Sequence, residues 1–412
     1  MSAYLAELRV QWRPLLAAII GMSSGYSITN YVTSIMAPHM LQEFGWSKAE
    51  FAAIGSLGII STLVFPFIGR LTDIIGVRKT ALIGVLFFPI AYTILSLQPG
   101  NIRIYIGLFL AMGIICITTT ATVYSRMVVQ YVERARGLAL AIVASGPAIM
   151  GVILAPILNN FVEAHGWRNG YVVMAIFSGA CGVIALLLMP PERKGANATL
   201  PRTRAAREDY PAIFRNRAFW ILAGAMLLCN LPQVLALTQL NLVLLDNGVS
   251  AAGVSAMIST FAVGTLVGRF ICGIALDRFP AHIVAALGMA LSACGLFLIA
   301  SPYDATPVLM LAILLVGLSF GAEGDLVSFL VVKAFGVRVY SSVMGMMTAT
   351  ISIAASIGAL TLGIMLKNGV GFAPFLGICG VTVLLGSLLL LFMPTSAPVE
   401  EEKIAEGETA TA

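Results

Sequence analysis

Long apolar runs alternate with short polar loops along almost the whole chain. Twelve of these runs have the length of a membrane helix, with centres near residues 25, 61, 88, 113, 149, 180, 231, 263, 291, 319, 353 and 383. A hydrocarbon core of about 30 Å needs about 20 apolar residues per helix. The pattern therefore predicts an all-α membrane protein with twelve transmembrane helices.

Composition and charge support a membrane location. The chain of 412 residues is 59% hydrophobic and 10% charged, which is more apolar than a soluble domain. Of its 24 Lys and Arg residues, 19 lie on one side of the predicted helices, four lie on the other side and one lies within a helix. The positive-inside rule places the basic side and both termini in the cytoplasm, as in a multi-pass protein of the cell inner membrane. The net charge of +5 thus reflects topology, and we expect no nucleic-acid partner.

A polar segment near the middle of the chain separates six predicted helices from the next six. We interpret residues 191–217 as a cytoplasmic linker between an N-terminal six-helix bundle at 1–190 and a C-terminal six-helix bundle at 218–394. Residues 395–412 are polar and predict a disordered cytoplasmic tail. We expect the protein to be monomeric.

The two predicted bundles share a loop sequence, which indicates duplication. Gly69 and Asp73 follow the second helix, and Gly273 and Asp277 follow the eighth at a common offset of 204 residues. Parallel repeats of this kind give two bundles related by pseudo-two-fold symmetry, with the substrate near the middle of the membrane where the halves meet.

Arg269 lies inside the run 261–279, whose only other charged residues, Asp277 and Arg278, are at its end. A cation at the centre of a membrane helix costs about 2.5 to 3.5 kcal/mol on insertion scales, so it normally faces a wet cavity or a partner. A guanidinium group matches a carboxylate with two parallel hydrogen bonds. We predict that Arg269 binds an anionic substrate. The alternative is a structural ion pair with an acidic residue.

Two further charges, Glu323 and Asp325, lie in the tenth predicted helix. Residues two apart on a helix point about 200° away from each other, so the two carboxylates face different surroundings. A carboxyl group in a cavity whose contents change can bind and release a proton. This pair is our candidate for proton coupling. The alternative is a hydrogen bond to a neighbouring helix that holds the structure together.

Uncharged polar residues in the first, fourth and seventh predicted helices are candidates to line a substrate cavity. The selected residues are Tyr26, Asn30, Tyr124, Asn230 and Gln233. Tyr26 and Asn30 are four residues apart, and Asn230 and Gln233 are three apart, so each pair shares a helix face. Pro232 predicts a kink beside the second pair. The alternative for each residue is a hydrogen bond that joins two membrane helices.

The sequence shows no catalytic or metal-binding motif. It lacks HExxH, a phosphate-binding glycine loop with its lysine and a nucleophile elbow, and its six cysteines show no CxxC spacing. We therefore expect no enzyme activity, no metal and no cofactor.

The first repeated loop resembles the loop motif of the major facilitator superfamily, which has a glycine, an aspartate, a second glycine and two basic residues. The matching residues are Gly69, Asp73, Gly76, Arg78 and Lys79, and the repeated loop has Asp277 and Arg278. The resemblance implies a gate in which Gly76 forms a tight turn. Asp73 would then accept bonds from basic groups and helix ends while the cytoplasmic side is closed. The alternative is an ordinary turn with charges that orient the chain.

Within that superfamily the chain resembles the monocarboxylate porter branch and its oxalate/formate exchanger relatives. The resemblance rests on segments 44–50, 136–139, 144–147 and 268–269. Two features depart from it. Thr265 stands where animal monocarboxylate porters have an aspartate, and the run 345–365 lacks the lysine of the exchangers. A single substrate cation favours a monoanion over a dianion.

The resemblance implies a secondary transporter that carries small organic monocarboxylates, lactate-like or aromatic, across the lipid bilayer by alternating access. Symport with protons is favoured, because an anion entering against an inside-negative potential benefits from a co-transported positive charge. One alternative is a proton-driven exporter of drugs or other amphipathic compounds, suggested by the Gly-Pro pair at 146–147. The others are an organic anion exchanger and a membrane sensor or scaffold without a transport cycle.

Overall fold

A computed structural model describes residues 2–46, 58–190, 206–235, 239–303 and 305–394. Three predicted features lie wholly or partly outside these residues: the tail at 395–412, the linker over 191–205, and residues 47–50 of the segment that begins at Phe44.

All regular secondary structure in the described residues is helical, which confirms the predicted fold class. The chain divides into two compact units, one of residues 1–135 with 142–203 and one of residues 136–141 with 204–412. The α-helices of the first unit are α1 (Ser2–Val10), α2 (Trp12–Ser24), α3 (Thr29–Phe44), α4 (Gly58–Ile75), α5 (Val77–Ser96), α6 (Ile102–Ile115), α7 (Ala121–Tyr131), α8 (Arg136–His165) and α9 (Trp167–Leu188), the first six residues of α8 belonging to the second unit.

The second unit repeats this all-helical organisation. Its remaining helices are α10 (Ala206–Arg215), α11 (Arg217–Cys229), α12 (Leu240–Asp246), α13 (Ala251–Leu276), α14 (Ala281–Ala300), α15 (Thr306–Phe335), α16 (Tyr340–Lys367) and α17 (Phe372–Leu390).

Nine helices in the described residues are long and apolar enough to cross a membrane, or ten if the pair α10 and α11, bent by 70°, counts as one span. Each of the twelve predicted centres nevertheless falls on a helix or at a helix break. The centre near residue 25 falls between α2 and α3, and the centre near 231 falls just after α11. The helical segments on either side of these two breaks are each shorter than a full membrane span, so none of them is among the nine long helices.

Part of the predicted linker is an ordered helix. In α10, Asp209 is 4% exposed and pairs with Arg338 through Oδ1 and Nη1 at 2.6 Å. The indole Nε1 of Trp220 donates to the carbonyl oxygen of Phe214 at 2.7 Å. These contacts attach α10 to the rest of the second unit, so the end of the predicted linker is helical and packed.

Candidate functional site

Two helices of the second unit, α13 and α15, approach each other closely through glycines. The glycines are Gly264 and Gly268 on α13 and Gly317 and Gly321 on α15. A Cβ added to Gly268 would lie 2.1 Å from the carbonyl oxygen of Leu318, and one added to Gly321 would lie 1.9 Å from that of Thr265. Small residues four apart let membrane helices pack backbone to backbone. This packing fixes the register of α13 against α15.

Gly321→Ala is expected to destabilise the protein by about 1–3 kcal/mol, the usual cost of overpacking. The added methyl group would overlap the Thr265 carbonyl, and a backbone atom cannot turn away as a side chain can. Gly324→Ala on the same helix is the matched control, since a Cβ there meets no atom within 4 Å. Heating both variants in detergent and measuring the monodisperse fraction gives their apparent Tm. Equal values for the two variants would contradict the close packing.

This packing places Arg269 beside Asp325. Nη1 of Arg269 lies 3.6 Å from Oδ1 of Asp325, and their side chains are 19% and 2% exposed. The other carboxylate oxygen, Oδ2, is buried and has no hydrogen-bond partner among the described residues. A buried oxygen without a partner costs about 1–3 kcal/mol or more. The ion pair therefore leaves Asp325 incompletely satisfied, and a proton or a ligand would relieve this cost.

Glu323 lies in different surroundings, as its two-residue spacing from Asp325 predicted. It is 9% exposed and lines a cavity of about 40 Å³ within the second unit. Asn230 and Gln233 line the same cavity, and the Asn230 side chain lies within hydrogen-bonding reach of the Glu323 carboxylate. The structure thus brings three of the sequence-predicted site residues together around one cavity.

Two serines of this cavity, Ser292 and Ser319, were missed by the sequence reasoning. Serine is common in membrane helices, and neither position stands out in the apolar pattern. The available signal was Ser319 itself, four residues before Glu323 and hence on the same helix face. Ser292 carries no such signal, because its position depends on how α14 packs against α15.

The other predicted substrate-binding residues lie in the first unit. The backbone N–H of Tyr26 donates to Oγ1 of Thr119 at 3.0 Å, and Asn30 is exposed. Tyr124 is fully buried, and its hydroxyl has no hydrogen-bond partner in the described part of the chain. Their role in substrate binding remains a prediction.

The first of the two repeated loops contains a tight turn and a buried ion pair. Gly76 has a φ of 87° and joins α4 to α5. Asp73 pairs with Arg126 on α7. Gly69 is buried, whereas Arg78 and Lys79 are exposed at the start of α5. A carboxylate paired with a basic group is the local arrangement expected of a gate, and its function remains a prediction.

In the second loop, Asp277 caps the start of α8 within the second unit. Its Oδ1 accepts from the N–H of Gly137 at 2.7 Å and its Oδ2 accepts from that of Leu138 at 3.0 Å. A Cβ on Gly137 would lie 2.1 Å from the carbonyl oxygen of Gly273. A carboxylate at a helix N-terminus is stabilised by the free N–H groups there. Arg278 is exposed.

Comparisons with known proteins agree on one family. The model of the Major Facilitator Superfamily matches residues 17–242 and 234–412. Human monocarboxylate transporter 11 is 23% identical over 88% of this chain and 78% of its own length. Rat monocarboxylate transporter 4 is 23% identical over 92% of this chain and 82% of its own. A fujikurins efflux protein of Gibberella fujikuroi is 25% identical over 84% of this chain and 74% of its own.

Solved structures of low identity share the fold. The fucose:proton symporter FucP of E. coli has a TM-score of 0.73 at 14% identity, covering 93% of this chain and 98% of its own. The proton:xylose symporter XylE has a TM-score of 0.68 at 16% identity, covering 95% and 96%. At these low sequence identities, the structural similarity shows the fold alone.

Proposed function

Because the chain belongs to the major facilitator superfamily, and is therefore a multi-pass membrane transporter rather than an enzyme, we propose that it carries small organic monocarboxylates by proton-coupled symport. The substrates would be lactate-like or aromatic acids taken up by alternating access. The distribution of basic residues supports a location in the cell inner membrane with both termini in the cytoplasm.

The observation that carries this proposal is the incomplete ion pair between Arg269 and Asp325. At 3.6 Å the pair lacks the short, parallel hydrogen bonds of a closed arginine–carboxylate pair. A substrate carboxylate would supply the second partner that the guanidinium lacks. Asp325 would then lose its counter-charge and take up a proton, so that the anion and the proton enter the site together.

Low-identity relatives named as monocarboxylate transporters support the substrate class. Animal monocarboxylate porters have an aspartate at the position of Thr265. In this chain we propose that Asp325 on α15 takes over the role of that missing carboxylate, because it reaches the same arginine from the neighbouring helix.

The second candidate function is proton-driven export of amphipathic compounds. It is favoured by the relative named as a fujikurins efflux protein, which at 25% identity is as similar as the monocarboxylate transporters. An arginine–aspartate pair in the site suits acidic rather than cationic compounds, so an exporter built on this site would carry organic acids outward.

Uptake into proteoliposomes tests the proposal. Radiolabelled lactate and benzoate are expected to accumulate when the outside is more acidic than the inside, and a protonophore is expected to abolish the accumulation. Protein-free liposomes are the control, because protonated weak acids cross lipid unaided. If the protein increases the uptake of neither acid, the monocarboxylate proposal is refuted. If the rate and extent of uptake do not depend on the proton gradient, proton coupling is refuted.

A further inference from the structure

The cavity beside Glu323 contains a buried carboxylate without a facing cation. Glu323 is 9% exposed, and no Lys, Arg or His occurs among the described residues that line the cavity. Arg269 does not line it and pairs with Asp325 instead. Buried charges in proteins are paired or bind metal ions. The cavity wall therefore supplies no cation to pair with Glu323 when this carboxyl group is ionised.

Four further side chains of the cavity wall carry uncharged oxygen atoms. They are the amides of Asn230 and Gln233 and the hydroxyls of Ser292 and Ser319. Nδ2 of Asn230 donates to the Met226 carbonyl at 2.9 Å, so Oδ1 is the atom of this amide that would bind a cation. Carboxylate, amide and hydroxyl oxygens are the ligands that hard cations prefer.

A broken helix adds negative charge at the same place. Helix α11 ends at Cys229, next to Asn230 in the cavity wall. Pro232 has no N–H, so the Leu228 carbonyl lacks the donor that a continuous helix would provide. The C-terminal end of a helix carries a partial negative charge, and interrupted membrane helices use such ends to bind coupling cations.

The single negative charge of the site and the volume of the cavity limit which ions can bind. One carboxylate balances one positive charge, and the described residues contain no group of three or more His, Cys, Asp or Glu that would hold a divalent or transition metal. The cavity of about 40 Å³ admits only a few water-sized groups. One carboxylate with neutral oxygens suits a monovalent ion, and of the common alkali ions sodium occupies less volume than potassium.

We propose that the cavity formed by Glu323, Asn230, Gln233, Ser292 and Ser319 binds a sodium ion. The site lies within the second unit and uses neither Arg269 nor Asp325, the two groups in which the proposed carboxylate and proton binding resides. Asn230 and Gln233, which the sequence suggested as substrate-lining residues, would bind the ion instead. Sodium binding at Glu323 and proton binding at Asp325 are separate events on opposite sides of α15.

Thermal unfolding of the purified protein in detergent tests the sodium site without any organic acid. At fixed pH and ionic strength, replacing choline chloride by NaCl is expected to raise Tm by at least about 2 °C, because a ligand that binds only the folded state stabilises it. KCl is expected to have less than half of this effect. Equal shifts with KCl and NaCl, or no shift, would overturn the proposal.

Variants assign the effect to this cavity. Glu323→Gln should abolish the sodium-dependent shift, whereas Asp325→Asn, the same chemical change two residues away, should retain it. Ser319→Ala keeps the carboxylate and should weaken the apparent sodium affinity by roughly tenfold. If Glu323→Gln is too unstable to purify, the Ser319→Ala titration decides, and an unchanged affinity there refutes the site. Because no acid is present, the result is independent of whether lactate or benzoate is carried.

Discussion

Arg269→Ala is expected to lower protein-dependent uptake of lactate or benzoate in proteoliposomes by at least about 100-fold. Removing one partner of a buried, hydrogen-bonded charge interaction costs about 2–5 kcal/mol, and no other Lys or Arg lies within α13. Arg269→Lys should also fail, with uptake lowered by at least about tenfold, because an ammonium group cannot bind a carboxylate through two parallel hydrogen bonds.

The same substitution would also leave Asp325 buried and unpaired, so a loss of uptake could reflect unfolding. Breaking a buried ion pair costs about 3–5 kcal/mol, whereas removing both charges is often nearly neutral. The double variant Arg269→Gln with Asp325→Asn therefore separates the two explanations. We expect it to have a Tm close to that of the wild type and still to transport no acid.

Two outcomes would contradict the role of Arg269 in binding. One is wild-type uptake by the double variant, which would make the pair purely structural. The other is an equal loss in Arg103→Ala, a matched control that removes an exposed arginine from the start of α6. Arg103 belongs to no site that we propose, so its loss should leave uptake unchanged.

The helical fold could be predicted because a segment that crosses the lipid core must be apolar along its whole length, and this is visible in the sequence. Ten of the twelve predicted centres lie inside helices. The other two mark breaks, which hydropathy does not detect because a broken helix in a membrane is as apolar as a continuous one. Pro232 predicted the second break. The first, at Gly25, has no proline, and there a Cβ would lie 2.7 Å from the Thr119 carbonyl oxygen, so the packing against Thr119 accounts for it.

The sequence limited the acidic partners of Arg269 to Glu323 and Asp325, but it did not show which of the two is the partner. The spacing of Glu323 and Asp325 predicted that the two acids face apart. Which of them meets Arg269 depends on the register of α15 against α13. Glycines four apart on both helices set this register. The glycine spacing is visible in the sequence, but it does not say which glycine faces which.

The helix α10 at the end of the predicted linker could not be predicted from composition. Its residues are polar enough to resemble a linker, and its structure depends on contacts with distant residues such as Arg338. The buried Asp209 carboxylate pairs with this arginine, which is 129 positions away in the chain. No local pattern contains that information.

Asp325→Asn is expected to separate substrate binding from proton coupling. The amide keeps the shape of the carboxyl group and leaves Arg269 free for a substrate anion, so exchange of internal for external labelled acid should stay within about threefold of the wild type. Proton-driven accumulation should be lost, because an amide cannot carry the proton that enters with the anion. The measurement is uptake with and without an inward proton gradient, beside counterflow at equal pH. Asp246→Asn, an exposed acid at the end of α12, is the control that should behave as wild type.

The reciprocal variant decides between the two carboxylates of α15. If Asp325 carries the proton, Glu323→Gln should still respond to the proton gradient, even where its sodium response is gone. A gradient response that is lost in Glu323→Gln and kept in Asp325→Asn would assign the proton to Glu323 and leave the ion pair with Arg269 a structural role. The two acids lie on opposite faces of one helix, and only Asp325 is within 4 Å of an arginine. Binding of a substrate carboxylate to that arginine would change the charge beside Asp325 directly, which is the physical requirement for coupling an anion to a proton.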